Sequence, residues 1–108
     1  KAYQLRRENR SELYVEAMKQ YATAAKLETD KDRLAQIYHN LGTLMYMAQQ
    51  YPQSVEAYKE SMRNNPHDDE TRYNLAKAMY MNKQQEQQKN EQEQEQEEQK
   101  QEQQQQKV

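Results

Sequence analysis

Asn40-Leu41-Gly42-Thr43-Leu44-Met45-Tyr46-Met47 returns as Asn74-Leu75-Ala76-Lys77-Ala78-Met79-Tyr80-Met81, each residue displaced by 34. A fixed period of that size marks a chain of repeated units. Each unit is too small to bury its own apolar face and must stack on a neighbour. On either side of the echo, apolar residues keep helical spacing, and no sustained alternation suggests a strand.

The spacing predicts five helices. The first covers about Ala2 to Arg10 and is short and polar. The second runs from Ser11 or Glu12 to Glu28, with Tyr14, Ala17, Met18, Tyr21, Ala24, Ala25 and Leu27 along one face. Thr29 or Asp30 can cap the third by accepting amide hydrogens of its first turn. That helix runs to about Ala48, and Gln49-Gln50-Tyr51 makes the turn. Pro52 suits the first turn of the fourth helix, where a missing N–H costs nothing. Asn64-Asn65-Pro66 stops it, because Pro disfavours helical geometry in the residue before it. Asp68 then caps a fifth helix that reaches at least Met81, with Asp69 and Glu70 at its positive end.

Only 33% of the residues are hydrophobic, and the mean hydropathy is −1.61. The average hides a partition. Residues 1–81 hold every Tyr, Met, Leu and Ile, whereas 82–108 are Gln, Glu, Lys and Asn with Val108 as the one apolar residue. The foldable unit is therefore 1–81, a size at which a core is marginal. The tail consists of good helix formers but has no apolar stripe. Glu91/Glu95, Glu93/Glu97 and Glu98/Glu102 repel at four-residue spacing, so a solvated helix grading into disorder is expected.

The net charge is −2, and neither part has the basic excess expected of a nucleic-acid binder. Cysteine is absent, which removes disulfides, thiolate sites and Cys-ligated zinc. No apolar run approaches a membrane span, and no signal-peptide pattern is present in the sequence given.

Residues 35–68 resemble a tetratricopeptide repeat. Tyr38, Leu41, Gly42 and Met45 stand where the family's first helix has an aromatic, Leu-Gly and a bulky residue. Tyr51, Ser54, Tyr58, Ser61 and Pro66 match the second helix and its closing proline. The resemblance implies an all-α, helix-turn-helix solenoid of about two and a half repeats. Residues 1–34 would form a divergent repeat, 35–68 a well-matched one and 69–81 the start of a third, with a polar helical or disordered tail at 82–108. Gly42 and the small Ser54 and Ser61 would let helices approach closely, with tyrosines filling the space between them. Ala17, Met18, Tyr21 and Ala24 echo Ser54, Val55, Tyr58 and Ser61 at a spacing of 37. A rival register pairs Val15-Glu16-Ala17 with Val55-Glu56-Ala57; the first keeps small residues at the helix crossing.

The run Thr71-Arg72-Tyr73-Asn74-Leu75-Ala76-Lys77-Ala78 and the Gln/Glu/Lys tail after it also resemble the small tetratricopeptide proteins of bacterial aerotolerance operons. That narrower resemblance implies a bacterial cell-envelope protein, periplasm-facing, among membrane proteins with von Willebrand factor A-type domains.

In the family, the first helix of each pair lines a concave groove. Carried over by position, the groove residues are Gln36, His39, Thr43, Tyr46 and Met47, then Glu70, Tyr73, Lys77, Tyr80 and Met81. Tyr and Met suit an extended peptide or a helix, the former for rigid area and the latter for adaptable shape. For any one of Met45, Tyr46, Met79 and Tyr80, packing of helix on helix is the commoner role of such a residue. The family's basic clamp for acidic C-termini is not matched, since Glu70 and Asn74 stand at basic places. Asn40 and Asn74 are expected to hydrogen-bond within the helix stack. His67-Asp68-Asp69-Glu70 reads as a capped helix entry rather than a metal site. No phosphate loop, nucleophile elbow or paired-carboxylate spacing is present. The reading is a non-enzymatic scaffold without cofactor or metal, gripping a protein or peptide partner. An exposed apolar strip at Leu75 and Met79, left uncovered where the chain turns polar, is the expected docking site for that partner, and the alternative is a homo-oligomer formed through the same strip.

Overall fold

The computed structural model describes the backbone of residues 2–106 and the side chains of 12–106. It is all-α within those residues, with four helices: α1 Ala2–Leu27, α2 Lys31–Met47, α3 Tyr51–Asn64 and α4 Asp69–Gln106. Short connections make successive helices antiparallel neighbours. α1 packs on α2, α2 on α3 and α3 on α4; α2 meets α4 narrowly, and α1 touches neither α3 nor α4 among the described residues. The result is an open row 67 × 37 × 21 Å across rather than a closed bundle.

Two expectations need correction. The break near Arg10 and Ser11 does not occur, and α1 is one helix from Ala2 to Leu27. No Gly or Pro interrupts that stretch, and an interior Ser costs far less than two new uncapped helix ends. The tail, expected as a solvated helix grading into disorder, stays helical to Gln106. At ~1.5 Å per residue α4 is about 57 Å long, propagating from a nucleus already fixed by packing.

The helix limits follow local chemistry. Asp30 accepts the Arg33 amide at 3.0 Å and starts α2. α2 ends in a Schellman turn: Gln50 N donates to Met45 O (2.8 Å) and Gln49 N to Tyr46 O (3.0 Å), with Gln49 at φ 61°. Pro52 lies in the first turn of α3. At α4 Asp68 receives the Thr71 amide at 3.2 Å and the Thr71 hydroxyl at 2.7 Å.

The α2–α3 crossing is the tightest part of the molecule. A Cβ on Gly42 would lie 2.6 Å from the Tyr58 ring, so only glycine admits that ring. Ser54 Oγ donates to Gly42 O and Ser61 Oγ to Ala35 O, both at 2.7 Å. The two serines are 0% exposed. Their bonds fall two turns apart on both helices and fix the antiparallel register. The central core is Val55, Tyr58 and Ala78, with Tyr46 and Leu75 packed against it.

Candidate functional site

Between α2 and α4 runs a cleft of about 370 Å³, lined by His39, Asn40, Thr43, Met47, Glu70 and Asn74, with Tyr21 of α1 and Leu44 at its edge. It continues through Thr43 and Asn74 into a smaller hollow of about 140 Å³ that adds Tyr46, Tyr58 and Lys77. The floor is set by hydrogen bonds. Thr71 Oγ1 donates to the Asp68 carboxylate, so at the 2.6 Å contact with His39 Nδ1 it must accept. Nδ1 therefore carries a proton, and Nε2 faces Glu70 Oε1 at 4.0 Å. Thr43 Oγ1 donates to its own helix at His39 O (3.1 Å), which leaves the Tyr58 hydroxyl to donate to Thr43 at 2.8 Å. Burial is the main cause that raises the Tyr58 pKa above the ordinary value for a phenol. Lys77 Nζ lies 5.3 Å from the Tyr46 ring centroid.

The cleft gathers only part of the residues expected in it. His39, Thr43, Met47 and Glu70 line the larger section, and Tyr46 and Lys77 the smaller. Gln36 stands one turn away and donates to Asn40 Oδ1 at 3.0 Å. Tyr73 and Tyr80 are 69% and 62% exposed, on the solvent side of α4 beyond the cleft. Met81 is half-buried and does not line either section. Asn40 accepts from Gln36 on its own helix, while Asn74, expected to hydrogen-bond within the stack, lines both hollows.

The proposed Leu75–Met79 strip divides. Leu75 is half-buried against the core and is not exposed. It lies three residues before Ala78, on the flank of α4 that meets α3, so packing claims it. Met79 is 51% exposed. It borders a cleft with Val55, Lys59, Asn82 and Lys83, where Asn82 Oδ1 is shielded from solvent without a partner among the described residues. Another hollow has no sign in the residue pattern. About 420 Å³ opens on the far side of the α2–α3 pair against Tyr38, Leu41, Met45 and Ala57, rimmed by Glu56 and Glu60. It is formed by the side of the pair that does not face α4, and helical periodicity alone does not say which side stays open.

At the entry to α4 the Asp68 carboxylate is occupied by Thr71, which lowers its pKa chiefly through the side-chain hydrogen bond. No group of three or more metal-ligating side chains occurs among the described residues. No described helix is long and apolar enough to cross a membrane. No protein-family model matches the chain, and neither a curated protein nor a solved structure matches it.

Proposed function

We propose that this chain is a non-enzymatic adaptor of tetratricopeptide type, whose α2–α4 cleft holds an extended segment of a partner protein. The observation that carries the proposal is the combination of a polar, pre-organised floor with large apolar side chains left in solvent beside it. His39 and Thr43 offer hydrogen-bonding groups whose orientations are fixed by neighbours, and the Asn74 amide lines the cleft beside them. Met47 in the cleft exposes most of its surface, as do Tyr73 and Tyr80 on the part of α4 beyond it. A few directed polar groups set among apolar area are what a peptide site requires. The repeat-type packing of Gly42 with Tyr58 and Ser54, at the positions that carry the resemblance, supports the solenoid reading. On the narrower resemblance the proposal extends to a bacterial envelope complex containing von Willebrand factor A-type membrane proteins.

The test is selection of a displayed random-peptide library on the 108-residue chain, followed by amide-shift mapping of the selected peptides. The expected shifts cluster at Thr43, Tyr46, Asn74 and Lys77, and Tyr73→Ala/Tyr80→Ala weakens binding about tenfold with helicity unchanged. Shifts confined to other surfaces, or equal binding by the double variant, would overturn the proposal.

A further inference from the structure

α2 is covered on both flanks, by α1 before it and α3 after it. α4 is covered by α3 on one flank only, and α1 by α2 on one flank only, among the described residues. The two open flanks are not alike. α4 repeats α2 at a displacement of 34, and α1 repeats α3 at a displacement of 37. We propose that the open flank of α4 in one copy binds the open flank of α1 in a second copy, reproducing the α2–α3 crossing between molecules.

Burial differences at matched positions mark both flanks as unfilled. Gly42 is buried under Tyr58, but its counterpart Ala76 is exposed. Tyr46 stacks edge-on against Tyr51 at 5.3 Å, but its counterpart Tyr80 is 62% exposed. Ser54 and Ser61 are sealed against α2, while their counterparts Ala17 and Ala24 on α1 are half-buried. Leu13, one turn before Ala17, is 68% exposed. Transferring the Gly42–Ser54 pairing sets Ala76 against Ala17 of the second copy. Lys77, at the place of Thr43, then stands beside Tyr21 of the second copy, at the place of Tyr58. Small residues on both sides allow the close helix approach seen at the template crossing. The two surfaces differ, so the contact is heterologous and propagates head to tail instead of closing as a two-fold dimer. It shares Lys77 and Tyr80 with the peptide-binding proposal, but Ala76 and Leu13 line neither section of the α2–α4 cleft, so substitutions there test it separately.

Sedimentation of the full chain from micromolar to submillimolar concentration tests the inference. The expected weight-average mass climbs past twice the 13.1 kDa chain mass. Ala76→Arg and Leu13→Glu each alter an exposed position, so each keeps native circular dichroism and sediments as a monomer. Mixed in equal amounts they form a dimer and nothing larger, because one retains only the α1 surface and the other only the α4 surface. In parallel, Ala17→Cys/Ala76→Cys in this cysteine-free chain yields an oxidised ladder of linked copies, whereas either single variant, whose thiol meets no thiol at this contact, stays unlinked. A wild-type chain that stays monomeric throughout overturns the inference. So does an assembly abolished by Ala76→Arg but untouched by Leu13→Glu, which would mean that α4 pairs with itself.

Discussion

The α2–α3 crossing and the outer part of α4 are equally helical but held by different physics. At the crossing, Tyr58 fills the space left by Gly42, and two serine hydroxyls reach carbonyls of the facing helix. Beyond about Gln84 every described α4 residue is exposed, and nothing packs on it. One region is specified by tertiary contacts that tolerate little change. The other depends on propensity and on continuity with a folded neighbour. Helical content in this chain is therefore a poor measure of where its stability resides.

The largest expected effect comes from breaking the tight region. Gly42→Leu should cost about 3 kcal/mol or more, read as a fall in the urea midpoint, because the buried Tyr58 ring has nowhere to go. Gly42→Ala sets two effects against each other. Helix propensity gains about 1 kcal/mol, and overpacking at a 2.6 Å contact loses about 1–3 kcal/mol, so a net loss is expected. A net gain would show that the ring yields and that the crossing is looser than described.

Ser61→Ala should cost about 1 kcal/mol by removing the bond to Ala35 O, and Ser54→Ala a similar amount. Additivity of the two, two helical turns apart, would establish that the crossing has two independent pins.

Asp68→Ala should cost about 1 kcal/mol as the cap of α4 is lost. Its pH dependence has a definite sign. Thr71 holds the Asp68 carboxyl below its ordinary pKa, so the contribution is fully present above the unfolded value and is lost as pH falls through the lower folded one. Asp68→Asn keeps a cap but should flatten this part of the acid limb of a stability–pH curve.

Gln49→Gly should raise stability by roughly 0.5–1 kcal/mol, since a side chain at φ 61° is strained where glycine is not. The smallest effect belongs to the loose region. Truncation after Gln88 should leave the urea midpoint within about 0.5 kcal/mol of the full chain while total helicity drops. Hydrogen exchange over the removed segment in the intact chain should show little protection. A larger stability loss would mean that the outer helix contacts the domain.

The all-α character and three of the helix starts were legible because capping and proline chemistry are local: Asp30, Pro52 and Asp68 sit where their side chains act. The closeness of the α2–α3 approach was legible as well, because glycine and serine at matched spacing have few other uses inside helices. Helix continuity through Arg10 and Ser11 was not, since that stretch carries neither a breaker nor a strong cap and the outcome rests on small propensity differences. The candidate site was read less well. Periodicity assigns a residue to a helical face but not to the neighbour that covers it. Leu75 therefore went to the core and Met79 to solvent, though both had been grouped in one strip. Tyr46 and Tyr80 are indistinguishable by echo, yet only Tyr46 has the Tyr51 ring beside it.

Thr71 ends one helix-start motif and begins one inter-helix link with the same oxygen: its hydroxyl serves Asp68 and receives His39. A slip of α4 by a single residue would carry the cap along with the helix but take the Thr71 oxygen away from the half-buried imidazole. The joint thus acts as a registration key, charging a misaligned α4 with a stranded N–H on the facing helix.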